Sequence, residues 1–175
     1  DALHLMEQLP VPVIAAINGY ALGGGSEIAL ACDMRIIDSA TRMGMVQINM
    51  GLTPGWGAGQ RLLRIVGYSK AMEMLLKGES LQADELIALK LANQKVEQGQ
   101  ALDNAMTFAN QIAERPVSVV RGIKQLLRAG LTTPYDVARQ AEYDIFPDLW
   151  ADKPHIQAVE AFFERQAAKR QENDG

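Results

Sequence analysis

Cysteine is almost absent. Cys32 is the only one in 175 residues, so no disulfide can form within the chain, and such usage fits a reducing compartment. Histidine is nearly as scarce, and neither His4 nor His155 has acidic or cysteine partners at ligand spacing, so no metal or catalytic role is assigned to either. Basic residues are not in excess: 17 Lys and Arg stand against 21 Asp and Glu, for a net charge of −4. That balance argues against nucleic acid as a partner, since binding it calls for a basic face, although it leaves room for a local basic pocket around a phosphorylated group. Long apolar runs are missing too. The stretch Val11–Ala16 is broken by Pro12 and is far too short to cross a bilayer, so no membrane partner is expected. No basic-then-apolar leader opens the chain; it starts directly in a helical pattern, from which a missing upstream segment is expected.

What is present is an ordinary globular composition, 48% hydrophobic and 22% charged, in a chain long enough for one sizeable core. Leu3, Leu5, Met6 and Leu9 form a helical stripe that Pro10 and Pro12 end. Val13–Ile17 reads as a buried strand, Asn18-Gly19-Tyr20 as a turn, Ser26–Cys32 as a short helix, and Met34–Asp38 and Thr41–Val46 as two more strands. The loop from Gly51 to Gly59 is rich in glycine and feeds a helix, Gln60–Val66, which Gly67 stops. Ser69 is placed to cap a helix over Lys70–Lys77 that Gly78 ends. Ala83–Leu91 reads as a helix and Gln94–Glu97 as an edge strand. From Ala101 the pattern is helical, over Ala101–Glu114, Pro116–Ala129, Tyr135–Trp150 and Pro154–Arg170, with a polar tail from Gln166 to Gly175 expected to fray.

The chemistry concentrates on one turn. A strand, then Asn18-Gly19, then Ala21-Leu-Gly-Gly-Gly-Ser-Glu27 opening a helix presents backbone N–H groups where a ligand can approach closely. The helix start adds partial positive charge, so the turn can hold an oxyanion. It is not a phosphate-binding P-loop, which needs Gly-Lys-Ser/Thr, and it lacks the G-x-G-x-x-G of a dinucleotide site. Physical reasoning alone leaves one alternative open, that three glycines merely allow tight helix–strand packing.

The segment Pro12-Val-Ile-Ala-Ala-Ile-Asn-Gly-Tyr-Ala-Leu-Gly-Gly-Gly-Ser-Glu-Ile-Ala-Leu-Ala-Cys-Asp33 resembles the signature of the enoyl-CoA hydratase/isomerase (crotonase) superfamily. The similarity continues through Gly51-Leu-Thr-Pro-Gly55, Gln60-Arg61-Leu62, Ser69–Met74 and Ala161-Phe-Phe-Glu-Arg165, in effect across the whole chain. It implies an α/β fold: the C-terminal part of a crotonase-like ββα spiral core over residues 1–100, then a helical trimerisation region over 101–175. It also implies an acyl-CoA thioester as substrate, no separate cofactor (coenzyme A arrives as part of the substrate), a homotrimer or hexamer, and a cytoplasmic location, or the mitochondrial matrix in a eukaryote.

By the same resemblance Gly24 donates one of two N–H groups to the thioester oxygen, the second coming from a loop upstream of Asp1. An oxyanion site missing one donor typically loses ~10²–10³ in rate, so these residues alone are expected to be poorly active. Glu27 matches the first of two glutamates that position water in the hydratases; its plain alternative is a first-turn acid favoured by the helix dipole. The second glutamate falls on Gln47. This is the main departure, because a neutral amide can hydrogen-bond but cannot exchange a proton.

The resemblance also implies substrate-binding positions on the two glycine loops, at Leu22, Gly23, Pro54, Gly55 and Trp56. Met45, Met50 and Trp56 are candidates for an acyl pocket, and Phe162 matches a position near the coenzyme A adenine. Methionines at such spacing are more often plain core, Trp56 and Trp150 also read as core or interface residues, and Lys169 and Arg170 as a solvated basic helix end. Three functions follow. The first is an enoyl-CoA hydratase-type lyase in fatty-acid or branched-chain amino-acid metabolism. The second is a methylmalonyl- or ethylmalonyl-CoA-type decarboxylase, favoured by Gln47 and by a short likeness at Pro54–Gly57 and Leu149-Trp150 to such enzymes. The third is an acyl-CoA-binding member without turnover.

Overall fold

The computed structural model describes residues 2–173, and Asp1, Asp174 and Gly175 lie outside the described residues. The chain divides into two units, Asp1–Ile112 and Ala113–Gly175.

The first unit opens with α1 (Ala2–Glu7) and then alternates strands between two small sheets. Strands β1 (Ile14–Ile17), β3 (Met34–Asp38) and β6 (Gln94–Val96) form a parallel sheet in the order β1-β3-β6. Strands β2 (Tyr20–Leu22), β4 (Arg42–Gly44) and β5 (Leu81–Gln82) form the other, with β2 parallel and β5 antiparallel to β4. Each passage places one strand in each sheet before a helix: β1, β2 and α2 (Gly24–Ala31), then β3, β4 and α3 (Ala58–Lys77). This is a ββα spiral. It then passes through α4 (Ala83–Ala88) to β6 and α5 (Ala101–Ala113).

The apolar runs explain the strands. Parallel strands covered on both faces need continuous hydrophobic sequence, and β3 is buried from Arg35 to Asp38. Ile17, Leu30, Ile37, Met43, Met45, Leu62, Leu86 and Leu91 meet in one core between the strands and α2, α3 and α4. Two close approaches shape it. The buried Ser26 hydroxyl donates to Ala21 O at 2.5 Å and accepts from Gly44 N at 3.1 Å, tying α2 to the ends of β2 and β4. At Gly44 a Cβ would stand 2.5 Å from Glu79 O and 2.7 Å from Ser80 Cα, so only glycine lets β4 pass that backbone.

Several boundaries differ from the sequence reading. Tyr20 belongs to β2, and the strand expected over Thr41–Val46 shortens to Arg42–Gly44 because Gln47–Met50 forms a 3₁₀ turn. The break expected at Gly67 is there, with φ 77° and ψ 167° dividing the helical stretch α3 in two, and only the start of that stretch, at Ala58, differs from the expected Gln60. The helix expected to reach Leu91 ends at Ala88.

The second unit holds α6 (Val117–Thr132), α7 (Tyr135–Ala151) and α8 (Lys153–Asn173). Gly122 lets α6 sit close on α7: a Cβ there would lie 3.0 Å from Leu149 and 3.1 Å from Ile145. Ser118 Oγ bonds Asp152 Oδ2 at 2.8 Å where α7 gives way to α8. The tail expected to fray from Gln166 is helical to Asn173, and the rest of that expectation lies outside the described residues.

Candidate active site

Gly23 adopts φ 53° and ψ −113° at the head of α2, a backbone geometry that favours glycine, and donates its N–H to Gly44 O at 3.0 Å. Gly24 and Gly25 follow in the first helical turn, where no carbonyl of the helix stands one turn back to receive their N–H groups. Leu22, the last residue of β2, is exposed beside them.

One turn into α2, Glu27 is only 4% exposed, yet it has four donors. Its Oε1 accepts from Gln47 Nε2 at 3.0 Å and Gly55 N at 3.2 Å, and its Oε2 from Trp56 N at 2.7 Å and Ala58 N at 3.4 Å. Three of those donors are backbone groups, two on the loop leading into α3 and one on its first residue, so the carboxylate sits at the N-terminal ends of two helices, where the dipoles favour negative charge. A carboxylate has about four lone-pair positions, and here each meets an N–H, the one from Ala58 being the longest.

Glu27 also dictates how Gln47 lies. With Nε2 turned to the carboxylate, Gln47 Oε1 becomes the other arm of the amide; turning it over would set two acceptors 3.0 Å apart. Oε1 is buried, and no donor among the described residues reaches it. A buried acceptor left unmade costs about 1–3 kcal/mol, which makes this atom the natural receiver of a ligand's hydrogen bond.

The loop Leu52–Gly57 completes the arrangement. Pro54 is half-buried, and Gly55 and Trp56 are exposed at their outer face. The Trp56 indole lies against Gly24: a Cβ placed on Gly24 would stand 2.8 Å from Trp56 Cζ3 and 3.0 Å from Cη2. Arg61, which the sequence reading did not single out, holds this loop. Its Nη1 donates to Trp56 O at 2.6 Å, and its Nε to Glu7 Oε1 of α1 at 2.6 Å. Arg61 stood in the quoted Gln60-Arg61-Leu62 segment, but its partner lies 54 residues back.

Gly24, Glu27, Gln47, Gly55 and Trp56 are thus brought together. Met45 is 2% exposed and belongs to the core, its Sδ 4.0 Å from Gln47 Nε2, whereas Met50 is 79% exposed at the end of the 3₁₀ turn. Phe162 lies on α8 of the second unit, exposed and edge-to-face with Phe163 at 5.7 Å between centroids. Among the described residues no group of three or more His, Cys, Asp or Glu side chains is gathered as metal ligands.

The family model for enoyl-CoA hydratase/isomerase matches residues 1–173. A short-chain-enoyl-CoA hydratase of Clostridium acetobutylicum is 37% identical over 91% of this chain and 61% of its own length. An ethylmalonyl-CoA decarboxylase of Gallus gallus is 32% identical over 91% of this chain and 54% of its own. The crystal structure of an enoyl-CoA hydratase from Bacillus anthracis superposes with a TM-score of 0.88 at 33% identity, covering 93% of this chain and 63% of that one. The chain therefore spans roughly three fifths of these relatives. With a family match over nearly its whole length and the same α/β spiral as its solved neighbours, the chain belongs to the enoyl-CoA hydratase/isomerase (crotonase) family.

Proposed function

We propose that this chain carries the thioester-binding and water-binding half of an enoyl-CoA hydratase-type lyase. The observation that carries the reading is the first-turn N–H of Gly24, which has no acceptor among the described residues, beside a buried Glu27–Gln47 pair. The Gly24 N–H receives the thioester oxygen and stabilises the negative charge that builds on it as water adds. The oxygen of water bonds to C3, one of its protons ends on C2, and the other stays on the new hydroxyl. Glu27 is the side chain of the pair that can carry a proton. Its Oε2 carries the longest of the four contacts, 3.4 Å from Ala58 N, the one most readily exchanged for water. Gln47 orients through its amide and moves no proton.

Assay of the full-length protein on crotonyl-CoA tests this. Glu27→Gln is expected to lower kcat by at least ~10²-fold, the scale of a lost general acid–base. Hydration that persists within threefold of wild type overturns the role.

A second reading is supported by Gln47 and by the similarity to ethylmalonyl-CoA decarboxylase: release of carbon dioxide from a malonyl-type thioester, with the enolate held at Gly24. That reaction needs the oxyanion donor but no second proton carrier. Carbon dioxide evolved from methylmalonyl-CoA faster than crotonyl-CoA is hydrated selects it. Binding of both thioesters with turnover of neither selects the non-catalytic reading instead.

We further propose a homotrimer or hexamer working in the cytoplasm, or in the matrix of a eukaryote, on fatty-acid or branched-chain substrates. In the second unit, Ile156, Val159, Phe162 and Phe163 leave a stripe of α8 exposed. An apolar groove of about 480 Å³ lined by Leu126, Tyr143, Phe146 and Leu149 offers further surface for a subunit to cover.

A further inference from the structure

We propose that the Trp56 indole is the specificity-determining wall of the acyl site, admitting thioesters unbranched at C2 and refusing those that carry a substituent there. The assignment rests on the reading that the Gly24 N–H receives the thioester oxygen.

The ring lies where a side chain of residue 24 would otherwise project, with Cζ3 2.8 Å and Cη2 3.0 Å from that point. A carbonyl bonded to the Gly24 N–H puts its carbonyl carbon alongside the same residue, and with C2 on the ring's side and the sulfur turned away, as we propose, the first acyl atom to meet the ring is whatever C2 carries. The ring is not loosely hung. Its backbone N–H is bonded at 2.7 Å to the buried carboxylate of Glu27, and its carbonyl at 2.6 Å to Arg61, itself paired with Glu7. The Arg61 and Glu7 side chains are 12% and 21% exposed, so the anchor is largely shielded from water. These bonds fix the backbone that carries the ring, so the indole can withdraw only by rotating about its own side-chain bonds, and it discriminates by the steric cost of that rotation. The outer part of the indole is open, 53% of the residue being exposed, so an unbranched chain can run past it.

The test compares kcat/KM of the full-length protein for crotonyl-CoA and for its 2-methyl analogue, tigloyl-CoA. Wild type is expected to favour crotonyl-CoA by roughly tenfold or more, the range that one methylene commands in a packed pocket. Trp56→Ala brings the two substrates within about threefold by raising the branched one, with Trp56→Phe between. Arg61→Met, which removes the anchor and leaves the indole itself intact, narrows the ratio in the same direction by freeing the loop. The wild-type protein hydrating both substrates alike overturns the assignment, as does Trp56→Ala depressing both in equal proportion, the mark of a merely structural residue. Equilibrium binding of butyryl-CoA and 2-methylbutyryl-CoA gives the same ratio without turnover. A protein that binds neither overturns the acyl-CoA reading itself, whereas one that binds both equally and hydrates crotonyl-CoA overturns the Trp56 assignment alone.

Discussion

At the scale of single residues, the first unit is organised by buried carboxylates that receive backbone N–H groups. Glu27 does this at the site, and Asp38 does it at the end of β3. Asp38 is 2% exposed and accepts from Gly99 N at 3.0 Å, Thr41 Oγ1 at 2.9 Å, Ala40 N at 3.1 Å and Gly19 N at 3.4 Å. Burial by itself raises its pKa; the hydrogen bonds from Gly99, Thr41, Gly19 and Ala40 outweigh that and leave it below the usual carboxylate value. A carboxyl with a lowered folded pKa adds stability that is present above its unfolded pKa and is lost as pH falls through the folded one. Asp38→Asn is therefore expected to cost about 2 kcal/mol at neutral pH, the scale of a buried donor left unpaired. The difference from wild type should shrink as acid protonates Asp38, which chemical denaturation across a pH series measures. Gly24 and Glu27 were picked out in the sequence because one continuous motif spaces them, and Gln47 through the family resemblance, which counts back from the Gly51–Gly55 loop. Asp38 and Arg61 were not, since Gly99 and Glu7 lie 61 and 54 residues away and only the fold brings them in.

At the scale of elements, what periodicity could not show was short. Strands β2 and β5 have three and two residues, too few to display an alternation, and the 3₁₀ turn at Gln47–Met50 interrupts what reads as continuous strand. The longer elements were legible because their apolar runs and their breakers agree: β1, β3 and α2 fall within a residue or two of expectation, and Gly67 breaks α3 where expected. That 3₁₀ turn is also what swings Gln47 out of the line of β4 and onto Glu27. The approach of β4 to β5 depends on Gly44. Gly44→Ala drives a methyl into the backbone of Glu79 and Ser80, which unlike a side chain cannot swing aside. A loss of about 1–3 kcal/mol and a lower Tm are expected, measurable by thermal denaturation. An unchanged Tm would show that the loop after α3 yields freely.

At the scale of the whole molecule, the division at Ile112 and Ala113 separates a unit with a buried core from one whose three helices leave much apolar surface exposed. The polar side chains with candidate chemical roles, Glu27 and Gln47, both lie in the first unit. The second has Phe146, Trp150, Phe162 and Phe163 exposed, more aromatic surface than a solvated helical unit ordinarily shows. Covering it by neighbouring subunits predicts a trimer or hexamer for the full-length protein in sedimentation velocity. Charged substitutions such as Phe163→Glu are expected to shift it towards smaller species, and a stable wild-type monomer would overturn the proposal.

The position of Trp56 against Gly24 has a practical consequence. The chain has two tryptophans, and the other, Trp150, lies on α7 with its ring 4.5 Å from that of His155. Replacing Trp150 by Phe leaves a single indole emitter among these 175 residues, placed where the acyl group is proposed to enter. Its fluorescence would then follow the site filling and emptying in real time, with no label and no turnover needed.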